Sequence, residues 1–406
     1  MSTTEPFITH ALPDRGIDLG LDSRMQVRYD ISEAEFHTFF SALKADATLQ
    51  LLQEHTIGDN CYATFLQSER LLHVSYTAHS STVRLVTDQT DRFSVPPLDP
   101  APFAAVTATT LCVLSPDYTH REITDGNGMS YAIILPDGRY ILFDGGYTQD
   151  TERLYRFLAD NNRHPDGKIV IAAWIFTHSH MDHLGAFHAF AKSHAADVVL
   201  ESAIFNPTLP VMFPRGKGYS AYLTETVFED LALFGDVKCY RPRTGQIYRF
   251  CDITLEMLYT HEQHLPVTLP YMNDSSIVCR LTANGQTVLF MADCERSISD
   301  FICDMHGAAL KSDVVQVNHH GYSGGTVELY SHIAPAFSLW PTNQVSFDLR
   351  VIGQKYQFIG NAVESDKYLY DTLGREHCIV ADGPAKLFPL PFSSLDDATC
   401  YTYPEA

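Results

Sequence analysis

The sequence predicts an α+β protein whose main part is a two-sheet sandwich flanked by helices, in four αββα layers. Strand-like apolar runs alternate with helical segments and hairpin turns, as expected for two sheets that bury one face against each other and cover the other with helices. Hydrophobic residues make up 45% of the 406 residues, which is enough for a large core. A stiff proline-rich stretch at residues 93–104 separates this part from a smaller N-terminal segment.

The N-terminal segment divides into a predicted irregular lead-in, residues 1–28, and a small α+β domain, residues 29–92. Ser32 and Glu35 have the spacing of a capping box, which predicts that a helix begins there. Three strand-like runs separated by short polar turns follow, at residues 61–66, 71–76 and 82–87. One helix and three strands bury little surface alone. We therefore expect this domain to pack on the rest of the chain or to form a homo-oligomer contact.

Residues 105–406 form the predicted larger domain. The turn at 136–139 joins two of its strands into a hairpin. A helix is expected near 150–160, a buried strand at 169–176 and another helix from about 184. Residues 203–250 are rich in proline and aromatic residues and are the least regular part, and loops of this kind often determine ligand specificity. The other expected strands lie at or near 111–114, 130–135, 140–143, 252–259, 276–282, 286–292, 313–317 and 378–390.

The charge of the chain limits its partners. Lys and Arg number 28 against 49 acidic residues, giving a net charge of −21. Because nucleic-acid affinity comes mostly from phosphate neutralisation by Lys and Arg, this balance argues against DNA or RNA as a partner. A small-molecule, anionic substrate is the expectation that remains. Local positive charge to hold it is offered only by Arg215, Lys217, Lys238, Arg241 and Arg243.

Cysteine usage and the N-terminus predict a cytoplasmic protein. The nine cysteines are odd in number, scattered, and mostly set in apolar runs, which is typical of reduced, buried thiols. The first residues lack the basic and apolar regions of a signal peptide. No apolar run reaches the roughly 18 residues of a membrane span, so no membrane association is expected.

The most informative segment follows the predicted strand 169–176. Three histidines and an aspartate occur within six positions: His178, His180, Asp182 and His183. Neutral imidazole and carboxylate suit Zn²⁺, Mn²⁺ or Fe. In an extended stretch alternate side chains share a face, so His178 and His180 can bind one ion. The helix that follows would turn Asp182 and His183 toward a second ion nearby.

This segment resembles the signature of the metallo-β-lactamase-fold hydrolases, and downstream segments agree in the family's order. The run 141–146 resembles the strand whose terminal aspartate, here Asp144, lies under the metal site. The run 287–293 resembles the strand that delivers a bridging aspartate, here Asp293. The run 313–321 resembles the strand and His-His-Gly turn that supply the last histidine. Together with Asn273-Asp274-Ser-Ser, it is most similar to the branch that includes the hydrolase domain of ComEC/Rec2 competence proteins and the phosphorylcholine esterases.

The resemblance implies one or two divalent metal ions, most simply zinc. His178 and His180 would bind the first metal. Asp182, His183 and His319 would bind the second, and Asp293 would bridge the two. Asp182 would also orient the catalytic hydroxide, and Asp144 would fix a ligating imidazole from behind.

Two points depart from the family pattern. Many members provide a further histidine for the first metal, and here Asn273 or Asp274 as a weak or water-mediated ligand and His261 as a direct ligand remain open. The adjacent His319 and His320 point in opposite directions in an extended strand, so one of them ligates. We predict His319 as the ligand, while His320 packs or faces the substrate. His320 or Tyr322 would then donate a proton to the leaving group or simply satisfy a backbone carbonyl.

The predicted function is that of a metal-dependent hydrolase in which a metal-bound hydroxide attacks a phosphoester or phosphodiester of a small molecule. Two cations stabilise the negative charge of a phosphoryl transition state, and the branch resemblance agrees. Hydrolysis of a carboxylic ester, thioester, lactone or amide at the same site is the alternative. A non-catalytic metal-binding or scaffold protein is the alternative of another class.

Overall fold

The computed structural model describes residues 12–13, 15–20, 24–118, 127–214, 221–353 and 362–404. Within these ranges the fold consists of three sheets, with helices packed against their outer faces. The predicted fold class, α+β with a four-layer sandwich, is confirmed. No helix of the described part has the length and hydropathy needed to cross a bilayer.

The first sheet contains six antiparallel strands and is covered on one face by helix α1, Glu33–Ala45. Ser32 caps this helix as predicted, with Glu35 returning a bond to the Ser32 backbone. The strand order is first, second, sixth, fifth, fourth, third. The strands are β1 Gly16–Gly20, β2 Arg24–Arg28, β3 Gln50–Ile57, β4 Asn60–Gln67, β5 Arg70–Thr77 and β6 Thr82–Gln89.

Three of these strands were not predicted. β1 and β2 lie in the expected irregular lead-in, and β3 precedes the first expected strand. β1 and β3 are the edges of the sheet, and most of their side chains are exposed on both faces. Such strands lack the alternation of apolar and polar residues from which strands are recognised. The proposed domain boundaries at 28, 92 and 104 remain a prediction.

The remaining strands build the two sheets of the sandwich. One sheet has the order β13-β12-β10-β9-β8-β7-β21-β22, with β11 also pairing with β10, and the other runs from β14 to β20 in chain order. Strands β9, β10, β12 and β13 are parallel to one another, as are β17 to β20. The bounds are β7 Thr110–Val113, β8 Ser130–Ile134, β9 Tyr140–Asp144, β10 Ile169–Phe176, β11 Val198–Leu200, β12 Ser202–Phe205, β13 Lys238–Tyr240, β14 Ile247–Phe250, β15 Ile253–Tyr259, β16 Val278–Ala283, β17 Gln286–Phe290, β18 Val314–Gln316, β19 Phe337–Trp340, β20 Cys378–Val380, β21 Ala385–Pro389 and β22 Thr399–Tyr401.

Three apolar cores separate the four layers. One fills the space between the two sheets, where Phe143 stacks on Phe290 with ring centroids 3.9 Å apart. A second lies between the first sheet of the sandwich and its helices, and a third lies between the other sheet and its helices. The helices are α2 Thr151–Asp160, α3 Met181–His194, α4 Ala221–Leu231, α5 Arg296–His306, α6 Val327–Ile333, α7 Gln344–Phe347 and α8 Ala362–Leu373.

The N-terminal sheet packs on the sandwich rather than standing apart. Its face opposite α1 contributes Met25, Val27 and Val86 to an apolar cluster with segments 209–213 and 265–272. Buried hydrogen bonds add to this contact, among them His73 Nε2 to Thr244 O at 2.9 Å. Because segment 265–272 leads directly into the Asn273–Asp274 turn, the sheet supports one wall of the region described next.

Candidate metal centre and active site

The candidate site begins where the buried strand β10 gives way to helix α3. All eight residues of β10 are buried, and α3 begins at Met181, so that Asp182 and His183 occupy its first turn. Gly185 lets this helix approach the neighbouring loop, because a Cβ at that position would lie 2.8 Å from the backbone nitrogen of Thr148. The motif therefore places His178 and His180 before the helix and Asp182 and His183 in its first turn.

His178, His180 and Asp293 form one group of possible ligands, which we call position one. The Nε2 atom of His178 lies 3.1 Å from Nδ1 of His180 and 3.8 Å from Oδ2 of Asp293. His178 and Asp293 are buried, and His180 is half-buried. Two ring nitrogens and a carboxylate that converge in this way match the donor set of a transition-metal site.

Asp182, His183, Asp293 and His320 form a second group, which we call position two. The Nε2 atom of His320 lies 3.1 Å from Oδ2 of Asp182 and 3.2 Å from Oδ2 of Asp293. The Nε2 atom of His183 lies 3.1 Å from Oδ2 of Asp293. All four residues are buried. Asp293 belongs to both positions, which is the arrangement that a bridging carboxylate requires.

Asp144 holds two of these histidines in place from behind. Its Oδ2 atom accepts a hydrogen bond from Nδ1 of His183 at 2.7 Å and another from the Thr177 hydroxyl at 2.6 Å. That hydroxyl in turn lies 3.2 Å from Nδ1 of His178. With Nδ1 of both rings directed at acceptors, the Nε2 lone pairs point into the cluster.

The electrostatics of the cluster favour positive charge at its centre. Burial disfavours a charged imidazole, but Asp293, Asp144 and Asp182 outweigh it and raise the pKa of His183 well above its ordinary range. The same balance, led by Asp293, raises the pKa of His320 to about 9. Despite burial, the neighbouring His183 and His320 hold the pKa of Asp293 far below its usual range. A site of this kind stabilises a cation between its carboxylates.

Buried polar atoms without hydrogen-bond partners support the same interpretation. Oδ1 of Asp293 and Oδ1 of Asn273 are both shielded from solvent and have no hydrogen-bond partner among the described residues. A buried oxygen left in this state costs on the order of 1–3 kcal/mol or more. The residues present therefore fit one or two divalent cations bound by imidazole and carboxylate groups.

The backbone around the cluster is held in an unusual conformation. Asp144, Ala292, His319 and His320 all have positive φ, at 53°, 49°, 43° and 55°. Non-glycine residues in the left-handed region cost on the order of 1–3 kcal/mol each and persist where the surrounding structure enforces them. Four such residues around one cluster indicate that the backbone torsions position the site residues at a cost in folding stability.

The structure places the two adjacent histidines differently from the expectation. His320, expected to donate a proton, is fully buried in position two, whereas His319, expected as the ligand of the second metal, lies outside both groups. The expectation assumed an extended strand, but both residues adopt left-handed torsions in a turn, Asn318–Gly321. The Nδ1 atom of His320 donates to the carbonyl of Pro341 at 2.9 Å, which turns its Nε2 toward the carboxylates.

The remaining predicted residues lie at different distances from the cluster. Asn273 borders it, with Nδ2 3.3 Å from Nε2 of His319. Asp274 is buried and accepts from the Tyr271 backbone, and burial raises its pKa to about 7. His261 is buried beside Glu262, with Nε2 3.5 Å from its Oε1, and neither His261 nor Asp274 belongs to position one or position two.

Two residues near the cluster were not anticipated from the sequence. Asn127 donates to Oδ2 of Asp182 at 3.2 Å. Glu295, two residues after Asp293, accepts from Nδ2 of Asn273 at 2.9 Å and lies 3.1 Å from Nδ1 of His319. The run Asp293-Cys-Glu295 was a possible signal, because a second acid close to a predicted ligand can serve a ligating histidine.

Comparison with known families agrees with this geometry. A family model described as "Metallo-beta-lactamase superfamily" matches residues 123–328, which include every residue of the two positions. The chain belongs to the metallo-beta-lactamase superfamily. Members of this superfamily are mostly metallo-hydrolases and bind one or two divalent metals. A search of curated proteins finds no match.

Several solved structures are similar to this chain at low sequence identity. The metallo-beta-lactamase fold protein YhfI from Bacillus subtilis is 13% identical, covering 67% of this chain and 97% of its own, with a TM-score of 0.40. Zn(2+)-bound PqqB from Methylobacterium extorquens is 8% identical over 68% and 99%, with a TM-score of 0.39. CmlA, a diiron beta-hydroxylase from Streptomyces venezuelae, is 12% identical over 72% and 55%, with a TM-score of 0.38.

Proposed function

We propose that the protein is a metal-dependent hydrolase that cleaves a phosphoester or phosphodiester of a small molecule. The observation that carries the proposal is the sharing of Asp293 by two adjacent groups of ligands. Two cations that share a carboxylate would suit phosphoryl transfer, since they can stabilise the attacking and the leaving oxygens together. The resemblance of the His-His-Gly and Asn-Asp-Ser-Ser segments to the ComEC and phosphorylcholine esterase branch supports the same chemistry.

The candidate ligands would bind two metal ions. When bound, divalent ions supply Lewis acidity to the ester and lower the pKa of water near neutrality. His178, His180 and Asp293 would hold one ion, and Asp182, His183 and His320 together with Asp293 the other. Zinc is the first choice, with manganese or iron as alternatives for the same ligands.

Asp182 would act on the nucleophile as well as on the metal. One of its oxygens, Oδ2, accepts a hydrogen bond from Nδ2 of Asn127 at 3.2 Å. A carboxylate fixed in this way offers its other oxygen to the nucleophilic water. It can accept a proton from that water as the ester is attacked. Asn127 thus becomes a positioning residue for Asp182.

A small substrate is favoured over a polyanion by the placement of the basic residues. Arg243 is buried and bonded to Asp88 and Glu262, and Arg241 is bonded to Asp88, so these guanidinium groups are already neutralised. The other predicted basic pair, Arg215 and Lys217, lies outside the described residues. Arg241 and Arg243 therefore offer no extended basic surface to a polyanion. The proposed substrate is instead a small molecule whose single phosphoryl group would be held by the cations.

The test is turnover by protein of known metal content. We expect close to two divalent ions per chain by elemental analysis, and faster hydrolysis of bis-p-nitrophenyl phosphate than of a p-nitrophenyl ester or a thiolactone. Asp182→Ala should lose metal and activity, whereas Asp304→Ala, an exposed acid on α5, should keep both. Turnover of the carboxylic ester or thiolactone without phosphodiester turnover would replace this proposal with an acyl hydrolase. Bound metal without any turnover would favour a binding protein.

A further inference from the structure

Glu295 draws together three polar side chains on one side of the cluster. Its carboxylate accepts from Nδ2 of Asn273 at 2.9 Å and from the hydroxyl of Ser323 at 2.8 Å. It lies 3.1 Å from Nδ1 of His319, and that nitrogen is hydrogen-bonded to the same Ser323 hydroxyl at 2.7 Å. Because the Ser323 hydroxyl gives its proton to Glu295, it accepts from Nδ1 of His319, which places the imidazole proton on Nδ1 and the lone pair on Nε2.

The Nε2 lone pair of His319 faces the cluster. This atom lies 3.9 Å from Oδ2 of Asp293 and 3.3 Å from Nδ2 of Asn273. His178, His183 and His320 have the same arrangement, with Nδ1 directed at a hydroxyl, a carboxylate or a carbonyl and Nε2 directed inward. An imidazole whose outer nitrogen donates to such a partner is typical of a metal ligand.

The two positions differ in the number of ligands they already have. Among the described residues, position two has four candidate ligands, whereas position one has three, of which Asp293 is shared. His261, which the sequence left open as the further ligand of the first metal, lies beside Glu262 instead. In the part of the chain that the structure describes, His319 is the imidazole nearest to Asp293 that belongs to neither group, and 25% of its side chain is exposed.

We propose that His319, held by Glu295, is a further metal ligand of position one. Position one would then have three histidines of its own, His178, His180 and His319, together with the shared Asp293. Resting on the proposed metallo-hydrolase function, this inference assigns the adjacent histidines of one turn to different metals, His320 to position two and His319 to position one. The left-handed torsions of both residues give a physical reason, since the two successive side chains both approach Asp293 instead of pointing to opposite faces. Glu295 is then a positioning residue.

The experiment measures metal affinity rather than activity. Metal-free protein is titrated with Co²⁺ while the visible absorption is recorded, and zinc content is measured after dialysis. His319→Asn is the main variant, because asparagine tolerates a left-handed backbone and should fold normally. Glu295→Gln keeps the size of the side chain but removes its charge. The matched controls are His332→Asn and Glu328→Gln, since these residues form an exposed histidine–glutamate pair on α6, 3.9 Å apart.

We expect the wild type and both controls to bind two ions. His319→Asn and Glu295→Gln should each weaken one of the two by about 10- to 100-fold, the usual effect of losing such an interaction, and should change the Co²⁺ spectrum. Two ions bound by His319→Asn with wild-type affinity and spectrum would overturn the inference while leaving the proposed hydrolase intact. A wild type that binds no metal would instead refute the proposed function.

Discussion

Protonation of His73 should loosen the contact between the N-terminal sheet and the sandwich. His73 lies on β5 and is buried, with Nε2 2.9 Å from the carbonyl of Thr244 and Nδ1 3.2 Å from the hydroxyl of Thr64. Burial, assisted by the nearby Arg243 charge, lowers the pKa of His73 from 6.5 to about 3. The folded protein therefore keeps this ring neutral at pH values where the unfolded chain would protonate it.

The sign and the size of the effect follow from that difference. Because the pKa is lower in the folded state, the contribution of His73 to stability is complete above pH 6.5 and is lost as the pH falls from 6.5 toward 3. Each pH unit in this window costs about 1.4 kcal/mol, so the loss at pH 5 is about 2 kcal/mol. This is a large fraction of a typical unfolding free energy of about 5–15 kcal/mol.

The assay compares the wild type with His73→Gln by urea unfolding of metal-free protein at pH 7 and pH 5. Glutamine can still donate to the Thr244 carbonyl but does not titrate. His73→Gln should be less stable than the wild type at pH 7, and this difference should shrink by about 2 kcal/mol at pH 5, because only the wild type loses stability through residue 73. Other titrating groups, such as the buried His306, act equally in both proteins and cancel. Equal pH dependence in the two proteins would refute the reasoning.

Two further predictions test the support of the site and the cost of backbone strain. Asp144→Asn should weaken metal binding by about 10- to 100-fold, because the carboxylate that holds His183 is lost; unchanged affinity in a chelator competition would contradict this. Ala334 is exposed and ends α6 with φ 42° and ψ 58°, so Ala334→Gly should raise the free energy of unfolding by about 1 kcal/mol. Ala336→Gly is the control, and it should lower that free energy slightly, since its φ is not positive. Equal effects of the two glycines in urea unfolding would show that the torsion of residue 334 carries no cost.

Most candidate ligands of position one and position two could be predicted because they lie close together in the sequence. His178, His180, Asp182 and His183 fall within six residues at the end of a strand with no exposed position, so a strand followed by a helix is enough to bring them together. The strand itself is marked by eight apolar residues in succession. Asp144 and Asp293 were expected from the resemblance of their segments to strands of the metallo-β-lactamase-fold hydrolases, and the structure brings both to the same cluster.

The roles of His319 and His320 could not be predicted in the same way. Alternation of side chains applies only while φ and ψ stay in the extended region, and the sequence around the His-His-Gly turn gives no sign that two histidines leave it. Glu295 was missed for a related reason. Its partners Asn273 and Ser323 lie 22 and 28 residues away, so their convergence is a product of tertiary packing.

The sequence by itself determined the layered fold, the metal-binding motif and the acidic character of the chain, because each depends on composition or on neighbours within a few residues. The tertiary structure decided which histidine enters which ligand group, how the edge strands of the N-terminal sheet pair, and whether a basic residue is available to a ligand. Arg241 and Arg243 illustrate the last point, since only the folded chain brings Asp88, more than 150 residues away, into contact with them. The physical reason is that side-chain direction and charge pairing depend on backbone torsions and on distant segments, and neither is encoded in local spacing.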